Sequence, residues 1–228
     1  MLKLIYALQP ALDYLIRIQV YKLLHKEIPR EKRDDYIHSW SDTTLKRMNV
    51  QLKVKGSPSK KPCLFVGNHI SYVDIPLVTS QVPAIFLAKK EVGQWPVIGN
   101  AGRALGTVYV DRSSESSRKK SSLLVAEKIL KNKERVVVFP SGTTSVDENV
   151  GWRLGAFRLA AENKIPVQAF KIRYSPASIA FIGDDLFLPH LYGLLKLKKI
   201  EATIEFQRPK MIKNPETAMK NIKEWCIS

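Results

Sequence analysis

From residue 63 onward, short apolar runs alternate with longer stretches of helical periodicity. CLFVG (63–67), AIFLA (84–88), GTVYV (106–110), RVVVFP (135–140), KIPVQAFKI (164–172) and ATIEFQ (202–207) are rich in Val, Ile and Phe and bounded by Gly, Pro or Asn, a pattern that predicts buried strands. Residues 114–133 and 151–163 read as helices, and the Lys-rich end, 196–228, as a solvated strand and helix. Strands alternating with helices predict an α/β domain whose mostly parallel central sheet is flanked by helices.

The first 26 residues follow a different rule. Gln9, Asp13 and Arg17 recur every four residues on one narrow helical stripe, and Leu, Ile and Tyr occupy most of the remaining surface. Such a helix needs more apolar surroundings than water, and two environments offer them: the protein's own core or the interface of a membrane. The basic run HKEIPREKRDD follows at once, and Lys and Arg beside an amphipathic helix are favourable at an anionic bilayer surface. We therefore divide the chain into a helical membrane-docking element, residues 1–50, and a catalytic domain, residues 51–228.

Composition narrows the picture. With 228 residues and 45% hydrophobic positions, the chain supports one substantial core and is not disordered. Lys and Arg number 37 against 21 Asp and Glu, a formal charge of +16 that attracts anionic lipid, nucleic acid or phosphorylated substrates. No helix-turn-helix, zinc-finger or RRM pattern is present, and the basic residues adjoin the apolar terminus, so lipid is the expected anionic partner rather than nucleic acid. Cys63 and Cys226 lie far apart with no Cys/His cluster, which suggests neither a zinc site nor a disulfide framework and fits a reducing, cytoplasmic setting. The apolar runs fall short of the roughly 20 residues of a spanning helix. A peripheral or monotopic protein on the cytoplasmic face of a membrane is expected.

The chemistry concentrates in CLFVGNHISYVD. A buried strand runs into Asn68 and His69, and Asp74 follows five residues after the histidine. The carboxyl end of a parallel strand is where open α/β sheets place their ligands. Five residues on a regular helix separate side chains by about 140°. His69 and Asp74 therefore converge only if His69 lies in a turn and Asp74 in the first helical turn. Acyl transfer to an alcohol needs a base for the hydroxyl proton, and a carboxylate on the opposite ring nitrogen fixes the tautomer of such a histidine.

These residues resemble the glycerolipid acyltransferase family, best known for lysophosphatidate (1-acylglycerol-3-phosphate) acyltransferases. The family's NHxxxxD motif stands here as NHISYVD (68–74). The block AKKEVGQWPVIGNAGRALGTVYVDR is similar to the family's second segment, with Gly106, Asp111 and Arg112 at its end. FPSGTTS (139–145), KIPVQAF (164–170), GAFRLA (155–160) and DDLFLPHL (184–191) complete the resemblance, which runs in order from about residue 62 to 191. It implies that His69 is the general base and Asp74 its partner. It implies further that Asn68, Lys89, Arg112, Ser141, Gly142, Thr143 and Thr144 serve substrate, Arg112 through the acceptor's phosphate. The donor implied is acyl-CoA or acyl carrier protein, the acceptor a lysolipid, most directly 1-acyl-sn-glycerol-3-phosphate, and no metal or redox cofactor is implied.

One departure bears on the acceptor. The family usually reads FPEGTRS, and here Ser141 replaces the glutamate and Thr144 the arginine. A missing guanidinium removes a bidentate phosphate ligand. Either Lys and Arg elsewhere compensate, or the acceptor carries a different head group. A non-catalytic lipid-binding relative and a serine hydrolase using Ser141 are the other readings; the latter lacks GxSxG and the chain order Ser, Asp, His.

Overall fold

The computed structural model describes residues 2–25, 28–95, 98–146 and 150–228. Lys26 and Glu27 of the basic run and Pro96 and Val97 of the second block lie outside the described residues. Helices α1 (Leu2–His25) and α2 (Arg30–Arg47) precede strand β1 (Val50–Lys55). There follow β2 (Leu64–Gly67), α3 (Asp74–Gln81), β3 (Ile85–Lys89), α4 (Ile98–Leu105), β4 (Val108–Val110), α5 (Glu115–Leu130) and β5 (Val136–Val138). The chain ends with α6 (Gly155–Glu162), β6 (Val167–Ser175), α7 (Phe187–Leu194), β7 (Ile200–Phe206) and α8 (Pro215–Ile227).

The strands form one seven-stranded sheet in the order β1-β7-β6-β2-β5-β3-β4. Every neighbouring pair is parallel except β6 and β7. Strand β2 sits between β5 and β6, so its carboxyl end is covered on both sides. Because side chains alternate across a strand, the continuous apolar runs fill two cores at once. Phe65, Phe86, Val137 and Phe170 enter the core under α3 and α7. Leu64, Val66, Ile85, Val136 and Val138 enter the opposite core under α5, α6 and α8. The six expected strands are all present; β1, polar and largely exposed, carries no such apolar signal.

Helix α1 divides its apolar residues between the protein core and an exposed face. Ala7, Tyr14 and Ile18 are buried against the protein, while Leu2, Ile5, Tyr6, Leu12, Ile16, Val20 and Leu23 are exposed. Among the described residues, no helix is long and apolar enough to cross a membrane.

Helix α2 is strongly polar and buries only Ile37, Ser41 and Leu45. Ion pairing at its start compensates. Arg33 donates Nη1 to Glu134 Oε1 at 2.8 Å and Nη2 to Glu134 Oε2 at 2.7 Å, and Arg135 reaches Asp34 at 3.0 Å. This fork fastens the helical pair to the residue that leads into β5, and so fixes the exposed face of α1 relative to the sheet. Glu134→Ala removes the bidentate pair and leaves Arg33 with Asp34, at 3.1 Å, as its remaining counter-ion, and is expected to lower unfolding free energy by about 1–3 kcal/mol in urea titrations. Arg33→Met combined with Glu134→Leu is expected to recover most of that loss, since well-packed apolar groups replace a buried pair at little net change.

Candidate active site

Strand β2 ends at Gly67 for a steric reason. A Cβ there would lie 2.5 Å from the Phe170 ring and from its backbone oxygen, so only glycine lets β6 pass this closely. The next residue, Asn68, is buried, and both ends of its amide engage β6: Nδ2 donates to Ile172 O at 2.8 Å and Oδ1 accepts from Ile172 N at 2.7 Å. Asn68, expected to bind substrate, thus has both ends of its amide engaged by the backbone of β6. It extends the sheet's hydrogen bonding one residue past the strand and aims the turn that follows.

That turn brings the histidine and aspartate together. Asp74 is the first residue of α3, its backbone N–H bonded to Ser71 O at 3.1 Å, and His69 lies in the preceding turn. His69 Nδ1 is 2.7 Å from Asp74 Oδ2. The same oxygen accepts from Ile70 N at 2.7 Å and Ser71 N at 3.1 Å, and Oδ1 accepts from Tyr174 OH at 2.7 Å. Every other contact of this fully buried carboxylate is an acceptor contact, so Nδ1 carries the proton and Nε2 is the basic nitrogen. The His69 ring is also stacked on Phe139, centroids 4.0 Å apart and planes within 8°. Burial, then the negative charge on Asp74, raise the Tyr174 hydroxyl well above the usual phenol range, so it stays protonated and donating.

The third block, 139–145, wraps this pair. Phe139 stacks on the imidazole, and Ser145 N donates to His69 O at 2.8 Å. Between them Gly142 has φ +69°, and a Cβ on it would lie 2.6 Å from Arg112 Nη1, which instead donates to Gly142 O at 2.6 Å. Glycine is required here on both counts. Ser141 is buried and donates to Thr143 O at 2.8 Å, Thr143 is exposed, and the Thr144 hydroxyl donates to Phe181 O. Ser141 therefore faces its own loop, which removes the geometric basis for a serine nucleophile.

Arg112 follows β4 and lines a cavity of about 380 Å³ bounded by α5, α6 and the third block. Burial and the neighbouring positive charge of Arg153 push its pKa below the usual guanidinium value. Asp111 does not pair with Arg112. The Ser113 hydroxyl and the Lys90 ammonium hold its carboxyl down at about 2. Lys89 pairs with Glu91 at 3.3 Å on the surface and does not line the Arg112 cavity.

Sequence reasoning missed four contributors. Phe139 opens the third block and Arg153 lies two residues before GAFRLA, so both could have been read from those motifs. Tyr174 and His190 carry no such signal, being single residues brought in by β6 and α7. Tyr72 OH donates to His190 Nδ1 at 3.0 Å, and His190 Nε2 donates to Ala180 O at 3.0 Å, which secures the turn to α7.

Comparison with known proteins gives the family. A family model described as Acyltransferase matches residues 48–173. The chain is 32% identical to the lyso-ornithine lipid O-acyltransferase of Pseudomonas aeruginosa, covering 75% of this chain and 67% of that protein. It is 27% identical to the 1-acyl-sn-glycerol-3-phosphate acyltransferase of Neisseria meningitidis, covering 77% and 72%. Of the lyso-ornithine lipid O-acyltransferases of Rhizobium meliloti and Brucella abortus it spans 64% and 62% of the length, somewhat less than two thirds. The crystal structure of the 1-acyl-sn-glycerophosphate acyltransferase PlsC of Thermotoga maritima superposes with a TM-score of 0.66 at 22% identity, covering 99% of this chain and 95% of that one, and shares its fold. With its catalytic-type histidine and aspartate joined at the end of a central parallel strand, the chain belongs to the acyltransferase family.

Proposed function

We propose that this protein transfers a fatty acyl group from a thioester, acyl-CoA or acyl carrier protein, to the hydroxyl of a lysolipid at a membrane surface. The observation that carries the reading is the His69–Asp74 contact of 2.7 Å within a carboxylate cage of three further donors. In the reaction, Nε2 takes the acceptor's hydroxyl proton as its oxygen attacks the thioester carbonyl. The imidazolium formed is stabilised by the Asp74 carboxylate and by the face of Phe139. Collapse of the tetrahedral intermediate expels the thiolate, which takes that proton to leave as a thiol. No covalent acyl-enzyme is needed, and Asn68 serves as the clamp that holds the turn.

The membrane reading is supported by the apolar side chains left exposed on α1, Leu2 at 83% and Leu23 at 86% among them. Leu186 and Leu188 continue this surface beside α7, which packs on α1. Tyr72, in the His69 turn, packs edge-on against Phe181 and Phe187, and Phe187 stands between Leu186 and Leu188 in the chain. We place this face on the anionic, cytoplasmic leaflet, the side to which the +16 charge and two buried cysteines outside any disulfide are suited.

Lysophosphatidate is the first acceptor, on family resemblance and the Neisseria relative. Lyso-ornithine lipid is the second reading, favoured by Thr144 in place of arginine and by the Pseudomonas relative. Thiol release from a long-chain acyl-CoA in mixed micelles separates them. Release that depends on lysophosphatidate is the expected result. Release with lyso-ornithine lipid alone moves the acceptor to the second reading and keeps the chemistry. Release with neither, from CoA or carrier-protein donors, overturns the assignment.

A further inference from the structure

The cavity beside Arg112 combines apolar side chains such as Val125 and Val138 with four arginines, Arg112, Arg118, Arg153 and Arg158. Three of the four have evident partners: Arg158 pairs with Glu216 at 3.8 Å, Arg118 donates to the Arg112 carbonyl at 2.6 Å, and one nitrogen of Arg112 donates to the Gly142 carbonyl at 2.6 Å. Arg112 and Arg153 repel one another. Glu91 acts on Arg112 only from beyond ion-pair distance and is itself paired with Lys89. Two like charges facing one cavity, with no carboxylate among the described residues paired to either, form a site that an oxyanion would complete.

We propose that Arg153 and Arg112 together hold the head-group oxyanion, phosphate or carboxylate, of the lysolipid acceptor, so that Arg153 supplies from the start of α6 a guanidinium that Thr144 does not. This rests on the acyl-transfer reading above. Placement favours the acceptor over the donor. Arg153 N donates to Pro140 O at 3.0 Å, Pro140 adjoins Phe139 on the imidazole, and Arg112 grips Gly142 three residues before Ser145, which holds the His69 carbonyl. The Arg112 guanidinium and the Arg153 backbone N–H thus both anchor on the short loop that touches His69 at each end, and both side chains line the cavity beside it. In a lysolipid the anionic group lies a few bonds from the reacting hydroxyl. In acyl-CoA the phosphates stand off from the thioester by the whole pantetheine arm.

The test separates binding from chemistry. In the His69→Ala protein, affinity is measured for lysophosphatidate and for lyso-ornithine lipid, each in neutral detergent micelles. Adding Arg153→Gln is expected to weaken binding of the true acceptor about tenfold, the loss of one charge-assisted hydrogen bond, with Arg153→Lys intermediate. Melting temperatures of the variants confirm that each is folded. Unchanged affinity for both lipids would overturn the proposal. In the active enzyme Arg153→Gln raises the acceptor KM by a similar factor and leaves the acyl-CoA KM alone; a change confined to the donor KM also overturns it. Lysolipid binding that requires Arg153 in a protein that transfers no acyl group would sustain the site and remove the transfer reading instead.

Discussion

His69→Ala is expected to lower kcat by about 10²–10⁴-fold while leaving the acceptor KM nearly unchanged, because a positioned base contributes about that factor through the transition state alone. The imidazole is held on one side by Asp74 and on its face by Phe139, so its nitrogen is fixed in direction before substrate arrives. Alanine removes the base and leaves the cage around Asp74 with its Ile70, Ser71 and Tyr174 donors. The side chain is only 18% exposed, so some packing against Phe139 is lost, but no buried polar group of the cage loses its carboxylate. The fold is therefore expected to persist, and circular dichroism melts run beside the kinetics separate lost catalysis from lost structure. Transfer within tenfold of the unaltered protein would remove His69 from the mechanism.

How far this site was legible in the chain depends on the range of the interactions that build it. The central strands were readable because parallel strands covered on both faces are apolar at every position, and VVV or LFVG admits no other environment in a domain of this size. The His69–Asp74 contact was readable because both residues belong to one turn, where a strand end and a helix start lie five residues apart. Strand β1 was not, since it is exposed along most of its length and is held by its ladder to β7 rather than by burial. The anchoring of Asn68 was hidden for a related reason: its partner, Ile172, lies 104 residues away on β6, and nothing near the asparagine records that contact. Tyr174 was invisible on the same grounds. Strand β6 thus grips the catalytic turn twice, through Ile172 on Asn68 and through Tyr174 on Asp74, and neither contact has a local signature. The even choice posed by α1, core or interface, was undecidable from periodicity because the helix buries one apolar face and leaves another exposed.

Asp74→Asn is expected to reduce transfer by about 10³–10⁴-fold with little loss of stability, whereas Asp74→Ala is expected to lose both. The difference follows from the donors around the carboxylate. An asparagine oxygen placed toward Ile70 N and Ser71 N still accepts from both, and its amide can turn toward the Tyr174 oxygen, so the buried cage stays satisfied. What it cannot do is balance a positive imidazole. The charge that develops on His69 during proton transfer then lacks its counter-ion, and the Nδ1 proton is no longer dictated by a partner that accepts only. Alanine instead strands two backbone amides and a tyrosine hydroxyl, each a penalty of about 1–3 kcal/mol when buried. Urea titration of both variants checks the contrast in stability. Because Asp74 acts through His69, the double variant His69→Ala, Asp74→Asn is expected to be no slower than His69→Ala alone. A further loss in the double variant would give Asp74 a task independent of the imidazole and break the dyad into two separate contributions.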